Sequence, residues 1–453
     1  MPPTDKSDSL STMVSAPGAL PLIGHLAPLA RDRLAFLRRL PEHGDLVWIR
    51  IGPWKALVVT SAALSDQVLR DDRTFDKGGY LFDRIRETGG NGLVSCAHSD
   101  HRRQRRLVQP SFHRDRMPGY LTLMSRQIDE VLGRWRDGDT VDVLADLQSI
   151  TARTMLPGGL PPAAMERMLA DMNVILAGVT WRAIMPKSLD RVPTPANRRY
   201  RRAQERLRAV VTGVIDEYRS RGTGETDLLS GLLDAFDPDT PGLSDAEIHD
   251  QVLTFLLAGT ETTANVVSWA LHLVAEHPEI EQRLRAEAAG VLGRGEVTMA
   301  DLAQLPVSRQ VVLETMRLYP PVPFLTRITT ADTRLGGHPV PAGTTMVYSP
   351  YVVQRQAGHF PDPDSFRPDR WDGSAEPLKL PRGPFLAFGG GARRCVGDAF
   401  GLAEAMVMLS TITHRWSLQP VRADRVRPAV SLVLTPRALR MRLRALDTTG
   451  AVA

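Results

Sequence analysis

Phe388-Gly-Gly-Gly-Ala-Arg-Arg-Cys395-Val-Gly397 is the most informative stretch of the 453-residue chain, and an amphipathic helix follows it directly. Three consecutive glycines allow the backbone to wrap closely around another group. Arg393 faces an anion or lies on the surface. Cys395 falls at the N-terminus of the following helix, where unpaired N–H groups and the helix dipole lower the pKa of a thiol. A thiolate held in this way attacks an electrophile or binds a metal. A nucleophile needs a neighbouring base, which sequence cannot place, whereas a structural cysteine has no use for the glycines.

Outward from this loop, composition narrows the field. The only other cysteine is Cys96, so a Cys-rich zinc or iron–sulfur site is excluded and a disulfide framework is not expected. Cys96 reads as a small buried hydrophobe. With 43% hydrophobic and 24% charged residues the chain is of ordinary globular type, neither disordered nor collagen-like. The net charge of +5 is carried mainly by arginine, lysine standing only at positions 6, 55, 77, 187 and 379. Such usage reflects a GC-rich genome rather than a nucleic-acid partner. The one dense basic run, His101-Arg-Arg-Gln-Arg-Arg106, is too local to track a groove. Pro and Gly interrupt every apolar stretch before residue 32, so neither a secretory signal nor a membrane span is expected. A cytoplasmic location with reduced thiols follows as the default.

The length prior allows up to three domains or one large one. No internal repeat or long linker divides the chain. Residues 46–60 alternate around Gly52-Pro53 and predict a hairpin. Helical patterning runs from about 118 to 290, a strand-like patch covers 333–350, helix returns at 397–416, and a short apolar region occupies 429–434. The expected architecture is mainly α with a minor β portion, in one domain.

Two further segments carry chemical signals. A long helix opens on the capping box Ser244-Asp-Ala-Glu247 and closes before Pro278. Its middle is apolar on nearly every face and contains Ala258-Gly-Thr-Glu-Thr-Thr263. Burying Glu261 there costs several kcal/mol unless it is paired or functional. Thr262 can compete for the Ala258 carbonyl, and Gly259 opens space where something flat could press close. Glu314 and Arg317, three residues apart, share a helix face and can pair; taken alone, that pattern is commonplace.

Together these motifs resemble the cytochrome P-450 family. Residues 388–397 match its haem-binding loop, Phe-x-x-Gly-x-Arg-x-Cys-x-Gly, at every specified position. Ala258 to Thr263 resembles the oxygen-activation segment, and Glu314-x-x-Arg317 the helical ion pair. Phe366-Arg-Pro-Asp-Arg-Trp371 resembles the motif that adds Arg370 to that pair, and His101-x-x-x-Arg105 the helix that reaches the haem propionates. The resemblance implies a single haem-enclosing domain over 17–445, with a flexible lead-in at 1–16 and a tail at 446–453. It implies haem b (iron protoporphyrin IX), with Cys395 as the axial thiolate. Arg393, Arg327, His101 and Arg105 would hold the propionates, and Glu261 with Thr262 would stand side by side to relay protons to dioxygen. Ala258 and Gly259 would leave room above the ring. Glu314, Arg317 and Arg370 would form a structural ion cluster.

For substrate, the expected pocket segments are Tyr80 to Val94, Met172 to Met185, Val322 to Thr326 (with Val322 and Phe324) and Ala429 to Val433. Their arginines, Arg84, Arg86 and Arg182, are expected to face outward. An apolar pocket favours a hydrophobic substrate. Tyr348 to Arg355 and His101 to His113 are similar to actinobacterial family members that oxidise cyclic terpenes, which implies a terpenoid hydroxylase in secondary metabolism. A fatty acid or macrolide-type substrate is the alternative. No Gly-x-Gly-x-x-Gly fingerprint or phosphate loop occurs, so electrons are expected from a separate ferredoxin and its reductase. That partner would dock on a basic face of Arg102, Arg103, Arg106 and Arg394. The protein is expected to be a monomer. A peroxide-using or isomerising member would tend to lose the Glu261–Thr262 pair, and a haem sensor or carrier without turnover would not need it.

Overall fold

The computed structural model describes residues 13–156, 160–183, 185–221, 227–235, 242–292, 296–371, 376–421 and 426–446. Helix predominates, and ten helices position the site: α1 (Ala62–Arg70), α2 (Gly79–Gly89), α3 (His98–Val108), α4 (Met117–Leu132), α5 (Val143–Met155), α6 (Pro162–Arg182), α7 (Pro195–Arg221), α8 (Asp245–Ala275), α9 (Pro306–Leu318) and α10 (Asp398–Arg415). The sheet strands are β1 (Val14–Ser15), β2 (Leu46–Ile51), β3 (Trp54–Val59), β4 (Phe75–Asp76), β5 (Leu325–Thr329) and β6 (Thr345–Tyr348), in spatial order β1-β2-β3-β6-β5-β4.

The hairpin read at 46–60 is β2–β3, closed in register from Leu46↔Val59 to Ile51↔Trp54. The patch at 333–350 is not one strand. Gly336 and Gly337 turn a small separate hairpin, Thr333–Leu335 against His338–Val340, before β6. Residues 1–12 of the expected lead-in and 447–453 of the expected tail lie outside the described residues. The intervening Val14 and Ser15 are not free: they pair in parallel with Val47 and Trp48, so the folded chain begins before residue 17.

At the centre lies α8, 31 residues long, its first turn closed by the Ser244–Glu247 capping box. Reciprocal capping satisfies two orphan amides and fixes where the helix starts. From Ile248 to Val274 most side chains are buried, because α8 is packed by α5, α10, α9 and α7. One apolar cluster joins it to Met124 and Ile128 of α4, Leu147 and Ile150 of α5, Val311 and Leu313 of α9, and Met406 to Leu409 of α10. A helix apolar all round is stable only at such a position. Among the described residues no helix is long and apolar enough to cross a membrane.

Candidate active site

The loop before α10 is bound first to the protein itself. Gly391 has φ +63°, and a Cβ there would lie 2.1 Å from the Leu69 carbonyl oxygen at the end of α1. What its missing side chain admits is therefore backbone of α1, not a ligand. The Cys395 N–H donates to the Phe388 carbonyl at 2.9 Å, which folds the loop back on itself. Phe112 ties this loop to α8: a Cβ on Gly397 would sit 3.2 Å from its ring, whose centroid is 5.4 Å from Phe255 and 6.3 Å from Phe400.

The Cys395 side chain is exposed, yet burial pushes its thiol up to about 11, so it opens onto an internal cleft rather than onto the outer surface. The sequence expectation of a lowered pKa is overturned here. The Gly397 N–H does act downward, but burial is the larger effect and Asp398 adds to it. A thiol raised this far is a poor free nucleophile at neutral pH. Metal coordination, which displaces the proton, remains as the chemistry open to it.

Around the thiol stand cations without sufficient counter-charge. Arg327 of β5 is 2% exposed. Among the described residues it pairs with no carboxylate: NH1 donates weakly to the Thr326 carbonyl at 3.4 Å and Nε has no partner. Lys77 is pushed down to about 7 by burial and by neighbouring Arg327 and Arg393, and its Nζ donates to the Val94 carbonyl at 2.8 Å. Burial, with Arg393 and Lys77 beside it, lowers His101 to about 3, so its imidazole is neutral at physiological pH. Arg105, near the Cys395 sulfur, donates to the Arg394 carbonyl at 2.6 Å and to Gln109 at 3.1 Å.

Arg393 behaves differently from expectation. Its Nε and NH2 meet Asp72 and Asp76, each at 2.9 Å, and NH1 meets the Cys96 carbonyl at 2.9 Å. Its side chain is thus committed to locking the loop against the segment around β4. Cys96 is fully buried and its thiol is raised by that burial, as a small hydrophobe should be. Lys77 was missed by sequence reasoning. The available signal was a lysine, in a chain that nearly always uses arginine, standing immediately after Asp76.

Facing into the core, α8 has a window. Thr254–Leu256 and Thr263–Ala270 are buried, whereas Leu257, Ala258 and Thr262 are only half-buried. The Thr262 hydroxyl donates to the Ala258 carbonyl at 2.7 Å, placing both residues on one face. Gly259 does not serve that face as expected: a Cβ there would meet Met155 Sδ at 2.6 Å, so the glycine admits α5. Glu261 also points away from Thr262. Its Oε1 accepts from Gln148 of α5 at 2.9 Å, and burial raises it to about 7. The acid and the alcohol adjoin in sequence but are not hydrogen-bonded to each other. Deeper still, Glu404 of α10 is fully buried, with neither carboxyl oxygen in a well-formed hydrogen bond, near the hydroxyls of Thr154 and Thr263; burial raises it to about 8.

The expected structural cluster is fully assembled. Arg317 pairs with both Glu314 oxygens at 2.8 Å, and Arg370 Nε reaches Glu314 at 3.2 Å. Trp371 Nε1 and the Arg367 amide each donate to Glu314 at 2.9 Å. The remaining Arg317 donors go to the carbonyls of Gln354, Pro363 and Ser365.

The pocket segments need correction. Arg84 and Arg182 are buried, not turned outward. Arg84 pairs with Asp190 at 2.5 Å and Glu87 at 2.9 Å, while Arg182 donates to Asn197 at 2.5 Å. Arg86 is half-buried and donates to the carbonyls of Ser95 and Lys77. These arginines satisfy carbonyls and carboxylates that loop residues would otherwise bury unpaired. Phe324 packs on the sheet cluster of Val47, Ile49 and Val347, whereas Val322 is half-buried outside the apolar clusters. Ile184 lies outside the described residues. Of the expected basic docking face, Arg103 is paired with Glu247 and Arg394 with Asp398.

An internal thiol on a loop locked by Arg393, a window on a buried helix and unmatched cations define a haem-thiolate class of site. The residues fit that group: one soft ligand for iron, and at Arg327 a buried guanidinium whose Nε has no partner, suited to a propionate. Comparison with known proteins agrees. The cytochrome P450 family model matches residues 14–441. The chain is 42% identical over 436 residues to pentalenene oxygenase of Streptomyces avermitilis, covering 95% of this chain and 97% of that one. It is 41% identical over 416 residues to cyclooctat-9-en-7-ol 5-monooxygenase of Streptomyces melanosporofaciens, covering 90% of each chain. Cyclooctatin synthase of the same organism is 40% identical over 433 residues, 94% of each. The chain belongs to the cytochrome P450 family, and its reaction class is that of a monooxygenase.

Proposed function

We propose that this monooxygenase hydroxylates a cyclic terpene or terpenoid in secondary metabolism. The observation that carries the site assignment is the thiol of Cys395 within the domain, with Lys77 between it and the buried Arg327, which has no carboxylate partner among the described residues. The substrate class is supported by relatives named for pentalenene and for cyclooctat-9-en-7-ol, and by the apolar face that Leu257 and Ala258 present at the window.

In this reading Cys395 Sγ is the protein ligand of haem b. When bound, the haem supplies activation of dioxygen and insertion of one oxygen atom into a C–H bond. Arg327, Lys77, His101 and Arg105 hold the propionates by charge and hydrogen bonding. Arg393 holds the loop rather than the cofactor. The Thr262 hydroxyl, anchored on the Ala258 carbonyl, can hold a proton donor at the window. Glu261, at about 7, is poised to gain or release a proton near neutrality. Its rotation away from Gln148 would bring that proton toward Thr262. Ala258 and Val322 exclude water around an apolar substrate. Electrons come from a separate ferredoxin and reductase, and the enzyme works as a cytoplasmic monomer whose haem domain includes the β1 strand at Val14–Ser15.

Substrate class is tested by spectral titration of the haem-loaded protein with terpenes, fatty acids and macrolides: a shift of the Soret band on adding a terpene is the expected response, and a panel with no terpene response contradicts the assignment. Thr262→Ala should lower product formed per electron consumed by about tenfold or more, with peroxide released instead. Unchanged coupling would remove Thr262 from proton delivery.

A further inference from the structure

Glu261 and Glu404 are both buried in the core without a cation beside them, yet they differ. Glu404 is met only by the hydroxyls of Thr154 and Thr263, and burial raises it to about 8. Glu261 is met by the side-chain amides of Gln148 and Asn265, which act against burial, and it rises only to about 7. An amide N–H donates and a carboxylate only accepts, so such bonds favour the ionised form. Gln148 is the more direct of the two. Its Nε2 donates to Glu261 Oε1 at 2.9 Å, whereas Asn265 Nδ2 donates to the Glu261 carbonyl at 2.7 Å and lies 3.5 Å from Oε2.

The seat of Gln148 is fixed by its helix. Three side chains on one face of α5 set it against α8: Gln148 at Glu261, the Thr151 hydroxyl donating to the Thr260 carbonyl at 2.9 Å, and Met155 in the space left by Gly259. Gln148 is 4% exposed, so bulk water does not compete for its bond. Charges on the surrounding elements are engaged elsewhere. Glu261 is the only ionisable residue of α8 between Asp250 and His272. On α5, Asp146 accepts from Trp135 Nε1 and Arg153 pairs with Glu130. On α10, Glu404 faces Thr154 and Thr263; on α9, Glu314 and Arg317 hold each other. On α7, Arg208 donates to the Thr88 carbonyl and Arg219 pairs with Asp245.

We propose that Gln148 is a positioning residue for proton delivery: its amide takes up the Glu261 carboxylate left when a proton has passed toward Thr262, and holds it until a proton returns from water. The inference rests on the proton role of Glu261 proposed above. A buried carboxyl with neither cation nor amide donor keeps its proton at neutral pH, as Glu404 does, and cannot pass it on. A cation in place of Gln148 would err the other way, holding the anion too firmly to be protonated again near neutrality. A neutral donor lies between these extremes.

The test reads Glu261 directly, by infrared titration of the haem-loaded enzyme. The C=O stretch of its protonated carboxyl is assigned by loss in E261Q and told apart from that of Glu404 by E404Q. Its midpoint is expected near pH 7 in the wild type. It should lie about one pH unit higher in Q148M, which keeps the volume and removes the donor. Oxidation of NADPH through a plant-type ferredoxin and its reductase should fall as pH rises through the same midpoint, because only the protonated acid delivers. In Q148M that limb should move up with the infrared midpoint, and the rate below it should drop by about tenfold. An unchanged carbon monoxide difference spectrum reports intact folding. Q148E, of the same shape, serves if Q148M misfolds, and should raise the midpoint further because two carboxyls then share one site. If E261Q removes the limb while Q148M leaves the limb or the infrared midpoint in place, the assignment of Gln148 is overturned. A limb unaltered in E261Q contradicts the proton role of Glu261 itself, and the assignment of Gln148 falls with it.

Discussion

Two charge clusters are built on opposite principles. Beneath α9, Glu314 accepts from Arg317, Arg370, Trp371 and a backbone amide, and the leftover Arg317 donors end on carbonyls. Near Cys395, Arg327 lacks a carboxylate partner among the described residues, and Lys77 is forced toward neutrality by burial and then by Arg327 and Arg393. A cluster whose hydrogen bonds are complete holds the fold. One that is incomplete is arranged for something that brings the missing charge. Burying unpaired cations lowers stability, so the second cluster is a cost of folding that an anionic ligand offsets.

The largest effect expected from this contrast is at the complete cluster. Glu314→Ala leaves Arg317 buried and unpaired, and should destabilise the protein by about 3–5 kcal/mol in denaturant unfolding. A loss below about 1 kcal/mol would mean the cluster is not structural.

Glu404 sharpens the comparison as a buried carboxyl with no cation near it. Its native value, about 8 against an ordinary 4.5, means the folded state retains a proton that the unfolded state releases. Stability should therefore fall as pH rises from about 4.5 to about 8 and level off above that. Glu404→Gln should match wild type near pH 4 and exceed it by on the order of a few kcal/mol at pH 9. A difference independent of pH would contradict this.

The smallest stability effect belongs to the incomplete cluster. Arg327→Met should leave the haem-free protein within about 1 kcal/mol of wild type, or more stable, while weakening haem retention by about tenfold. Loss of stability comparable to Glu314→Ala would erase the distinction between the clusters.

What sequence revealed follows the same division. The Cys395 loop, the Glu314–Arg317 pair and the capping box at Ser244 were legible because their partners lie within a few residues of one another. The β2–β3 hairpin was legible from its alternation around Gly52. Misreadings arose where a side chain's direction was set by a distant element. Gly259 faces Met155, Gly391 faces Leu69, and Arg393 is claimed by Asp72 and Asp76, more than 300 residues away. Arg84 and Arg182 face inward because Asp190 and Asn197 need them. Cys395 inverted its expected pKa because burial, which sequence does not report, outweighed the helix N-terminus. Lys77 and Glu404 belong to no local pattern, and only packing shows what they face.

The central claim is that Cys395 is the iron ligand within this cleft. The direct measurement is the absorption spectrum of the purified, reduced protein under carbon monoxide. The wild type should show the red-shifted Soret band of a thiolate ligand, and Cys395→Ala should lose it; persistence of that band in the variant would contradict the account.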